Sequence, residues 1–525
     1  MCRNLSCPWV LALFSCCALN TSFGGGGGFR VTAPLRAEVI GADALSPSFS
    51  ENPRRHLRLH DCIEVALRNN LGLAARRVNA TSSLEDVRIA RAAFDPAFAA
   101  SGGRTEAAGL LGTPDTNLTL ARTAITTRTI TGATVELSAN TVRSNDVQTI
   151  ETKPGATTGT VVIETVPIFD SSAALTLRQP LLKGGGVHVN RIPIELSLIG
   201  VNQANLDLRR SVLDVLQATE NAFWQLAFAV QEREVRGKTV ALSQRLIEET
   251  SARVKVGLAT NVDTLQAEAA LASRREVLII SRQTIEDRTD ALLFLLGKLG
   301  QEKITLDVPG KFPTVPAAPP IDGTRALELI RQLPEYALQR QAIKERKLLV
   351  DKARNNLLPA VDLTAGGGYV GEASRLGTSF DQAFRQNNAS WQLLLEVRFP
   401  FGFREERASL AKSRYALEIE NLRIREIEQQ LQLQIREAAR AVAAGRERTK
   451  ATDVSLKLNE QEDEQVFAKF KEGLSTFRET LLVQNDLEEA RLAALRAQLD
   501  AVLAAVRLAR LDGSLLWRNY FEWQQ

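Results

Sequence analysis

The histidines and glycine runs are the residues of this sequence whose types could do chemistry. His56, His60 and His188 have no Cys or His partner at the spacing of a metal site, and no nucleophile motif surrounds a serine. The glycine runs at 24–28 and 184–186 lack the strand, lysine and helix context of a phosphate-binding loop. The sequence therefore predicts no enzyme, no metal site and no cofactor.

Cysteine usage indicates export rather than a disulfide framework. Four of the five cysteines lie in or beside an apolar segment at 8–19: Cys2, Cys7, Cys16 and Cys17. Arg3 before this segment and polar residues after it are typical of a secretory signal peptide, which is predicted at 1–23. Its apolar segment is too short for a helix that spans a membrane. Lipidation of Cys16 is a second interpretation of these residues. Cys62 is then alone in the mature chain, and we expect it to pack as a small apolar residue.

Charged residues are abundant but balanced, with 65 Lys and Arg against 61 Asp and Glu and a formal net charge of +4. Because this balance gives no bulk attraction for nucleic acid, no nucleic-acid partner is predicted. The charges are interleaved, as they are on solvated helix faces. Aromatic residues make up only 6% and Met occurs once, so the chain is poor in residues that commonly do chemistry.

The stretch at 403–511 is predicted to form one very long helix, a sharp turn at Gly473 and a return helix. Apolar residues recur in it at intervals of seven: Leu410, Leu417, Ile424, Leu431 and Ala438. This period keeps one apolar seam facing a partner helix and imposes a left-handed supercoil. At a rise of about 1.5 Å per residue the first helix would span roughly 100 Å, too long for a compact domain. A cytosolic coiled-coil rod satisfies the heptads equally well.

The sequence carries an internal duplication. Pro96 and Pro359 each end a helical region, and residues around them match at an offset of 263. Two later pairs match at offsets of 220 and 216: Pro180 with Pro400, and Gly257 with Gly473. Duplication is the simplest explanation. The first copy therefore holds about 43 extra residues, which we expect to form a surface excursion.

The duplication and the composition divide the chain into segments. They are a leader at 24–55, repeat one at 56–301, a linker at 302–323, repeat two at 324–516 and a tail at 517–525. The linker holds five prolines and is expected to be extended, because proline lacks an amide proton and disfavours helix at the residue before it. Each repeat is predicted to run helix, strands, long helix, tip and return helix.

Segments rich in Thr, Val and Leu with period-two alternation are predicted to be strands. They lie at 97–105, 117–126, 129–140 and 173–178 in repeat one, and at 361–370 and 390–399 in repeat two. The mature chain has no run of 18 consecutive apolar residues, so any membrane crossing must be made by strands. Several chains would have to share one barrel to enclose a wide pore. A soluble sheet that covers the end of the coiled coil fits the strand pattern equally well.

Several short motifs follow one another along the chain: LRLHDCIEVALRNN at 57–70, ARAAFDP at 90–96, QPLLKG at 179–184 and the two Gly-Leu tips. In order and spacing they resemble motifs of the TolC-like outer membrane efflux proteins. The first is similar to the opening of that family, and the second is similar to its helix-to-strand joint. The resemblance covers the chain from about 55 to 515.

The resemblance implies a mainly α fold with β, in which long coiled-coil hairpins form a trimeric α-barrel. A transmembrane β-barrel would take four strands from each chain, twelve in all. The implied function is a passive exit duct of a tripartite efflux pump or a type I secretion system, for small toxic compounds or secreted polypeptides. The homotrimer would sit in outer membrane lipid with a large periplasmic portion and meet a periplasmic adaptor (a membrane fusion protein) and an inner-membrane pump.

A periplasmic coiled-coil adaptor or structural protein that does not span the membrane is the alternative from another class. An adaptor is expected to have one hairpin flanked by compact β-domains. The duplication of the whole helix, strand and hairpin unit argues against it.

The resemblance also implies where a gate would lie. In the family, acidic residues six and nine positions beyond the second tip glycine narrow the tunnel mouth, and these positions are Glu479 and Leu482 here. Glu479 is either one of a ring of three carboxylates that selects cations or an ordinary solvated helix residue. Leu482 departs from the acidic pattern. Asp263, at the corresponding place in repeat one, is a second gate candidate or part of a helix cap.

The two tips are the predicted docking surface for the adaptor. Their candidate residues are Gly257, Leu258, Thr260, Gly473, Leu474 and Ser475. Glycine permits the backbone reversal, and an exposed leucine would offer an apolar knob to a partner. An ordinary hairpin turn with a locally buried leucine is the other interpretation.

Overall fold

The structure is a computed structural model that describes residues 58–107, 116–150, 162–257, 259–300, 307, 309–317, 322–385 and 388–515. The predicted signal peptide at 1–23 with Cys16, the leader at 24–55, the tail at 517–525 and Leu258 lie outside the described residues. The predicted linker at 302–323 is described only in part.

The first half of the chain contains four helices and four strands among the described residues. The helices are α1 (Leu59–Asn69), α2 (Leu71–Ala92), α3 (Val187–Lys255) and α4 (Asn261–Leu295). The strands are β1 (Ala97–Ala107), β2 (Thr116–Arg128), β3 (Thr134–Ile150) and β4 (Val162–Pro180). Asn70 separates α1 from α2, because its side chain accepts a hydrogen bond from the Leu73 amide at 3.0 Å and so caps α2.

The second half follows the same order with fewer strands. Its elements are α5 (Gly323–Gln332), α6 (Pro334–Asn356), β5 (Ala360–Ala373), α7 (Leu376–Arg385), β6 (Ala389–Arg398), α8 (Arg404–Lys471) and α9 (Phe477–Leu511). Pro334 begins α6, where its missing amide proton costs no hydrogen bond. The helices α8 and α9 occupy the stretch predicted for the long hairpin, and the heptad residues Leu410, Leu431 and Ala438 are buried in it.

The long helices pack side by side in one layer. Towards the tips the order is α4, α3, α9 and α8, and towards the sheet α2 and α6 join α3 and α8. Gly445 of α8 allows a close approach, because a Cβ atom there would lie 3.1 Å from Cα of Ala501. Arg510 of α9 ties the halves together through Asp214 of α3 at 2.6 Å and Glu335 of α6 at 3.0 Å.

The largest hydrophobic core lies where α1, α3, α4 and α9 meet. Phe223, Leu216 and Leu292 are at most 1% exposed in this cluster. Cys62 is fully buried in the same cluster, as the sequence predicted for a small apolar residue. Its burial, together with the neighbouring Asp61 charge, raises the pKa of the thiol to about 12.

The six strands form one antiparallel sheet in the order β1 to β6. This corrects two expectations, the four strands per chain and the surface excursion of repeat one. The inserted residues form the β2–β3 hairpin, which lies inside the sheet between β1 and β4. The reason is the two-faced Thr, Val and Leu pattern of the insertion, since such strands bury their backbone groups by pairing with strands on either side.

The sheet has two chemically different faces. Register and strand alternation place a set of exposed apolar side chains on one side, here the apolar face: Phe98, Ile125, Leu137, Leu175, Leu177, Trp391, Leu393, Leu395 and Val397. The opposite side, here the polar face, carries most of the charged residues of the strands, with four exposed apolar exceptions: Leu118, Leu120, Val370 and Leu394. Arg178 and Asp362 pair on it at 2.7 Å.

Among the described helices, none is both long enough and apolar enough to cross a membrane.

Candidate functional site

The first tip, at 257–260, is a glycine turn followed by a capped helix. Gly257 has a φ of 79°, which favours glycine. The carboxylate of Asp263 accepts hydrogen bonds from the Thr260 amide at 2.9 Å and from Thr260 Oγ1 at 2.7 Å. Thr260 Oγ1 in turn accepts from the Asp263 amide at 3.3 Å, so the pair forms a capping box for α4. These bonds favour the helix-cap interpretation of Asp263.

The second tip, at 473–476, makes the same reversal. Gly473 has a φ of 80°, and the Leu474 amide donates to the Lys469 carbonyl oxygen at 2.9 Å. The Leu474 side chain is 78% exposed, which contradicts the alternative of a locally buried leucine in this structure. Thr476 caps α9 by accepting from the Glu479 amide at 3.2 Å.

Glu479 lies in the first turn of α9 and is exposed. Its carboxylate accepts a hydrogen bond from Ser475 Oγ at 2.8 Å, and its charge favours the helix N-terminus. Leu482 is 53% exposed, one turn further along the same face. Asp486 and Glu489 continue this exposed face as an acidic extension beyond the two positions, 479 and 482, that the family resemblance indicated.

Apolar contacts fix the two tips to each other. Leu246 of α3, Ala267 of α4, Phe470 of α8 and Phe477 of α9 form a small buried cluster. The Arg253 guanidinium lies 4.2 Å from the centroid of the Phe470 ring and donates to the Phe470 carbonyl oxygen. The tips therefore move as one unit unless this cluster separates.

A buried polar network lies further inside the hairpins. Arg274 of α4 donates to Asn485 at 2.7 Å and to Gln484 at 3.3 Å, both on α9, and also to Ser243 of α3. Its guanidinium lies 4.0 Å from Glu488 of α9. Burial lowers the pKa of Arg274, and the charge of Glu488 opposes this effect. The network joins both hairpins of one chain through a single guanidinium.

The polar network was missed from the sequence because its members have no motif. The available signal was the presence of Arg274 and Glu488 at positions that helical packing turns inwards. Glu488 also pairs with Arg236 of α3, so one carboxylate serves two arginines. Such an arrangement is strongly destabilised when one partner is removed, because a buried charge is left uncompensated.

Asp463 of α8 lies next to this network and has a partly buried carboxylate. Its Oδ1 atom is buried without a hydrogen-bond partner. Burial raises the pKa of the Asp463 carboxyl, and attraction to Arg491 and Arg274 offsets only part of the increase. The charged form is therefore held at an energetic cost inside the helical layer.

Comparison with known proteins identifies the family. The profile of the family described as Outer membrane efflux protein matches residues 62–298 and 325–514, one segment in each half of the chain. The chain belongs to this family. The outer membrane efflux protein BepC of Brucella suis biovar 1 (strain 1330) is 22% identical over 365 residues, which cover 68% of this chain and 73% of BepC.

Solved structures of outer membrane proteins have the same fold as this family member. The outer membrane protein VceC of Vibrio cholerae matches with a TM-score of 0.63 and 17% identity over 87% of this chain and 96% of VceC. The CmeC channel of Campylobacter jejuni matches with a TM-score of 0.62 and 16% identity over 91% of this chain and 92% of CmeC. The open-state MtrE channel of Neisseria gonorrhoeae matches with a TM-score of 0.63 and 16% identity over 87% of this chain and 89% of MtrE.

The family assignment confirms the main predictions from the sequence. The protein is an outer membrane efflux channel with a large periplasmic helical portion. It is a transporter. The alternative of a membrane-free periplasmic adaptor gains no support from these comparisons.

Asp463→Asn is expected to stabilise the helical layer in a pH-dependent manner. Because burial raises the folded-state pKa above the unfolded value, the folded state binds the proton more tightly. The contribution of Asp463 to stability is therefore largest below the unfolded pKa of the carboxyl, about 3.9, and is lost as the pH rises through the raised folded pKa. At neutral pH the variant should unfold roughly 1–3 °C higher than the parent.

Thermal unfolding midpoints of parent and variant, measured from about pH 4 to pH 8, test this prediction. The two curves should converge at the acidic end and separate as the pH rises. Asp486→Asn, which neutralises an exposed carboxylate on α9, should leave the midpoint unchanged throughout. A constant difference between parent and Asp463→Asn at every pH would show that Asp463 does not titrate as described.

Proposed function

We propose that three copies of this chain close into one continuous duct, whose helical part crosses the periplasm and whose strands cross the outer membrane. The observation that carries the proposal is that both layers of the chain end in two uncovered edges. The resemblance to trimeric channels supplies the number three, and closed rotational assembly is the usual way in which such edges become buried. The duct is passive, and a partner supplies the energy for export.

Apolar seams on the outer helices support closure of the helical layer. The edge helix α8 has exposed apolar residues at heptad spacing, on the side away from its buried seam: Tyr415, Ile419, Leu422, Leu433 and Val454. The opposite edge has matching residues on α2 and α4: Leu71, Val78, Ile89, Val262, Leu265 and Ile279. Such seams fit helix against helix in a ring.

The direction of the edge strands supports closure of the sheet. β1 leaves α2 and runs away from the helices, whereas β6 returns and leads into α8. The β6 strand of one copy and the β1 strand of the next are therefore antiparallel, as the other neighbours in the sheet are. Six strands from each of three copies give a barrel of eighteen, in place of the twelve that the resemblance implied.

The apolar face has the dimensions of a membrane surface. The 10 residues of β6 are exposed along their whole length, and Trp391 is 82% exposed. At a rise of about 3.4 Å and a tilt of about 40°, a strand of this length covers roughly 25 Å, the height of the apolar band of outer membrane barrels. The apolar face then contacts lipid, and the polar face lines the lumen.

Glu479 is the proposed gate residue at the tunnel mouth. Three copies would place three carboxylates in a ring, held in position by the hydrogen bond from Ser475 at 2.8 Å. Leu482, one turn deeper, would line the same passage with an apolar ring instead of a second acidic one. The carboxylate of Asp263 is engaged in its capping box, so the proposal gives it a structural role at the outer side of the tip.

The tips are the proposed docking surface for a periplasmic adaptor of an inner-membrane pump. Leu474 stands out from the second tip, and Gly257 and Gly473 permit the two sharp reversals. An apolar knob on a rigid turn is suited to helix-to-helix docking with a partner hairpin. Thr260 and Ser475 shape the turns through their hydrogen bonds to Asp263 and Glu479.

Ile419→Asp is expected to disrupt the trimer. The substitution places a charge in the seam between copies, at a cost on the order of 2 kcal/mol or more per interface. Parent protein extracted from the outer membrane with detergent should have three times the chain mass by light scattering, and the variant should be mostly monomeric. Arg425→Gln, an exposed change off the seam, should remain trimeric. A trimeric Ile419→Asp protein would contradict the assignment of the seam.

Glu479→Gln is expected to weaken cation selectivity. The amide keeps the size of the side chain and an acceptor for Ser475, so only the ring of charge is lost. In planar bilayers the ratio of cation to anion permeability should fall by roughly threefold. Glu464→Gln, which removes an exposed charge from α8, should not change the ratio. An unchanged ratio in Glu479→Gln would indicate that Glu479 is an ordinary solvated residue.

Leu474→Asp is expected to block export without affecting assembly. A charged tip cannot insert into an apolar partner pocket, so export by cells should fall by roughly tenfold while the amount of trimer in the outer membrane stays normal. The neighbouring Glu472→Gln is the matched control and should export at the parent rate. Normal export by Leu474→Asp would exclude this leucine from docking.

A further inference from the structure

α7 covers part of the apolar face at the end of the sheet remote from the long helices. β5 runs away from α6 and reaches Ala373 shortly before α7 begins, and α7 packs on β5 and β4. At the corresponding place repeat one has the β2–β3 hairpin, so α7 has no counterpart among the described residues of the first half. The duplication therefore does not account for α7, and a separate explanation is needed.

Small residues bring α7 into direct contact with the sheet. Ser379 and Ala383, one turn apart on the helix, are fully buried. A Cβ atom at Gly371 of β5 would overlap the carbonyl oxygen of Ser379, so a glycine is required for this approach. Ser379 Oγ also lies 2.7 Å from Ser171 Oγ of β4. Because Gly371 and Ser171 are register partners that share the apolar face, α7 lies on that face.

The outward side of α7 extends the apolar face with further apolar side chains. Leu376 and Phe384 are exposed, the latter to 58%. The Phe384 ring lies 5.6 Å from the ring of Tyr369, measured between centroids. Aromatic side chains of this kind collect at the boundary between lipid tails and headgroups.

A row of arginines crosses the sheet at the same level. The register places Arg104 of β1 and Arg143 of β3 in one row with Phe169 of β4 and Ala373 of β5. Arg375 follows two residues after Ala373, at the start of α7. The Arg143 guanidinium lies 5.7 Å from the centroid of the Phe169 ring. The far border of the apolar face therefore carries cations as well as aromatic rings.

Part of this positive charge is unpaired. Arg385 of α7 pairs with Asp381 at 2.6 Å. Arg104 pairs with Glu106. By contrast, among the side chains that the structure describes, neither Arg143 nor Arg375 has a carboxylate at ion-pair distance. Each lysine or arginine near an anionic membrane surface contributes about 1 kcal/mol of attraction, which corresponds to about fivefold in binding. The charge is complementary to a phosphate-bearing lipid headgroup.

The position of α7 favours lipid over a second copy as its partner. α7 rests on β5 and β4, on the side of β5 away from the edge strand β6. Neighbouring copies meet at β6 and β1, so the outward side of α7 faces away from the seam. A contact between copies would also leave Arg143 and Arg375 without an anion.

We propose that α7 is a membrane-interface anchor that binds an anionic, phosphate-bearing lipid of the outer leaflet. Phe384 and Leu376 enter the acyl boundary, and Arg143 and Arg375 bind the headgroup. The inference rests on the proposed placement of the apolar face in lipid. In this proposal α7 fixes how deeply the sheet lies in the membrane. It occupies the place in the second repeat where the first repeat has the β2–β3 hairpin.

Site-specific photocrosslinking in the full chain tests the anchor. The photoreactive residue p-benzoylphenylalanine replaces Phe384, and in a separate protein Trp391 as the control on the apolar face. Each trimer is reconstituted in vesicles of equal parts phosphatidylcholine and phosphatidylglycerol, irradiated and analysed by mass spectrometry. Lipid adducts are expected at both positions. At Phe384 the phosphatidylglycerol adduct should exceed the phosphatidylcholine adduct by about fivefold or more.

Charge removal provides the second measurement. Arg375→Gln in the Phe384 crosslinking protein should lower the ratio of anionic to neutral adducts by about fivefold, because one surface cation is lost. Arg440→Gln, an exposed change on α8 far from the sheet, is the matched control and should leave the ratio unchanged. A ratio that does not respond to Arg375→Gln would overturn headgroup binding by this arginine.

The remaining outcomes separate failure of the anchor from failure of the proposed function. Lipid adducts at Trp391 with none at Phe384 would overturn the anchor and leave the sheet in the membrane. A Phe384 adduct to a second copy of the chain would also overturn it and make α7 a subunit contact. No lipid adduct at either position would overturn the anchor together with the placement of the apolar face.

Discussion

Each layer of this chain ends in two uncovered edges, and this constraint accounts for most of its other features. Strand edges present unpaired backbone groups, and helix edges present apolar seams, so neither layer is complete in one copy. The helical and strand layers share their edges, because α2 leads into β1 and β6 leads into α8. In the proposed assembly one rotation closes both layers at once, and the two faces of the sheet become the outside and the inside of the same wall.

Within the helical layer, polar contacts determine which helices pack against one another. The network around Arg274 and Glu488 is buried and spans both hairpins, where apolar packing of the same volume would be at least as stable. Its directional bonds instead favour one alignment of α3, α4 and α9. The apolar cluster of Phe470 and Phe477 then holds the tips in register with that alignment. Together, these two sets of contacts give the tips of one chain a single defined arrangement.

Sequence periodicity was sufficient for the elements but not for their partners. The heptads around Leu431 predicted the long helices, and Pro96 and Pro359 marked the helix-to-strand joints, because these signals are local. The position of the β2–β3 hairpin inside the sheet depends on pairing between distant strands, which a local pattern does not contain. The same holds for the contacts of Arg274 and for the seat of α7 on Gly371. At the tips, the sequence placed Glu479 and Asp263 correctly on α9 and α4, whereas their different hydrogen bonds required coordinates.

The burial of Cys62 lowers the reactivity of its thiol in an oxidising compartment. A thiol with a pKa of about 12 is almost entirely protonated at physiological pH, and only the thiolate attacks a disulfide. Cys62 of the folded chain should therefore not react with the oxidants that form disulfides between other cysteines during export. Once the chain is folded, Cys62 is expected to form no mixed disulfide, and a cysteine introduced at either tip would react with a maleimide label while Cys62 would not.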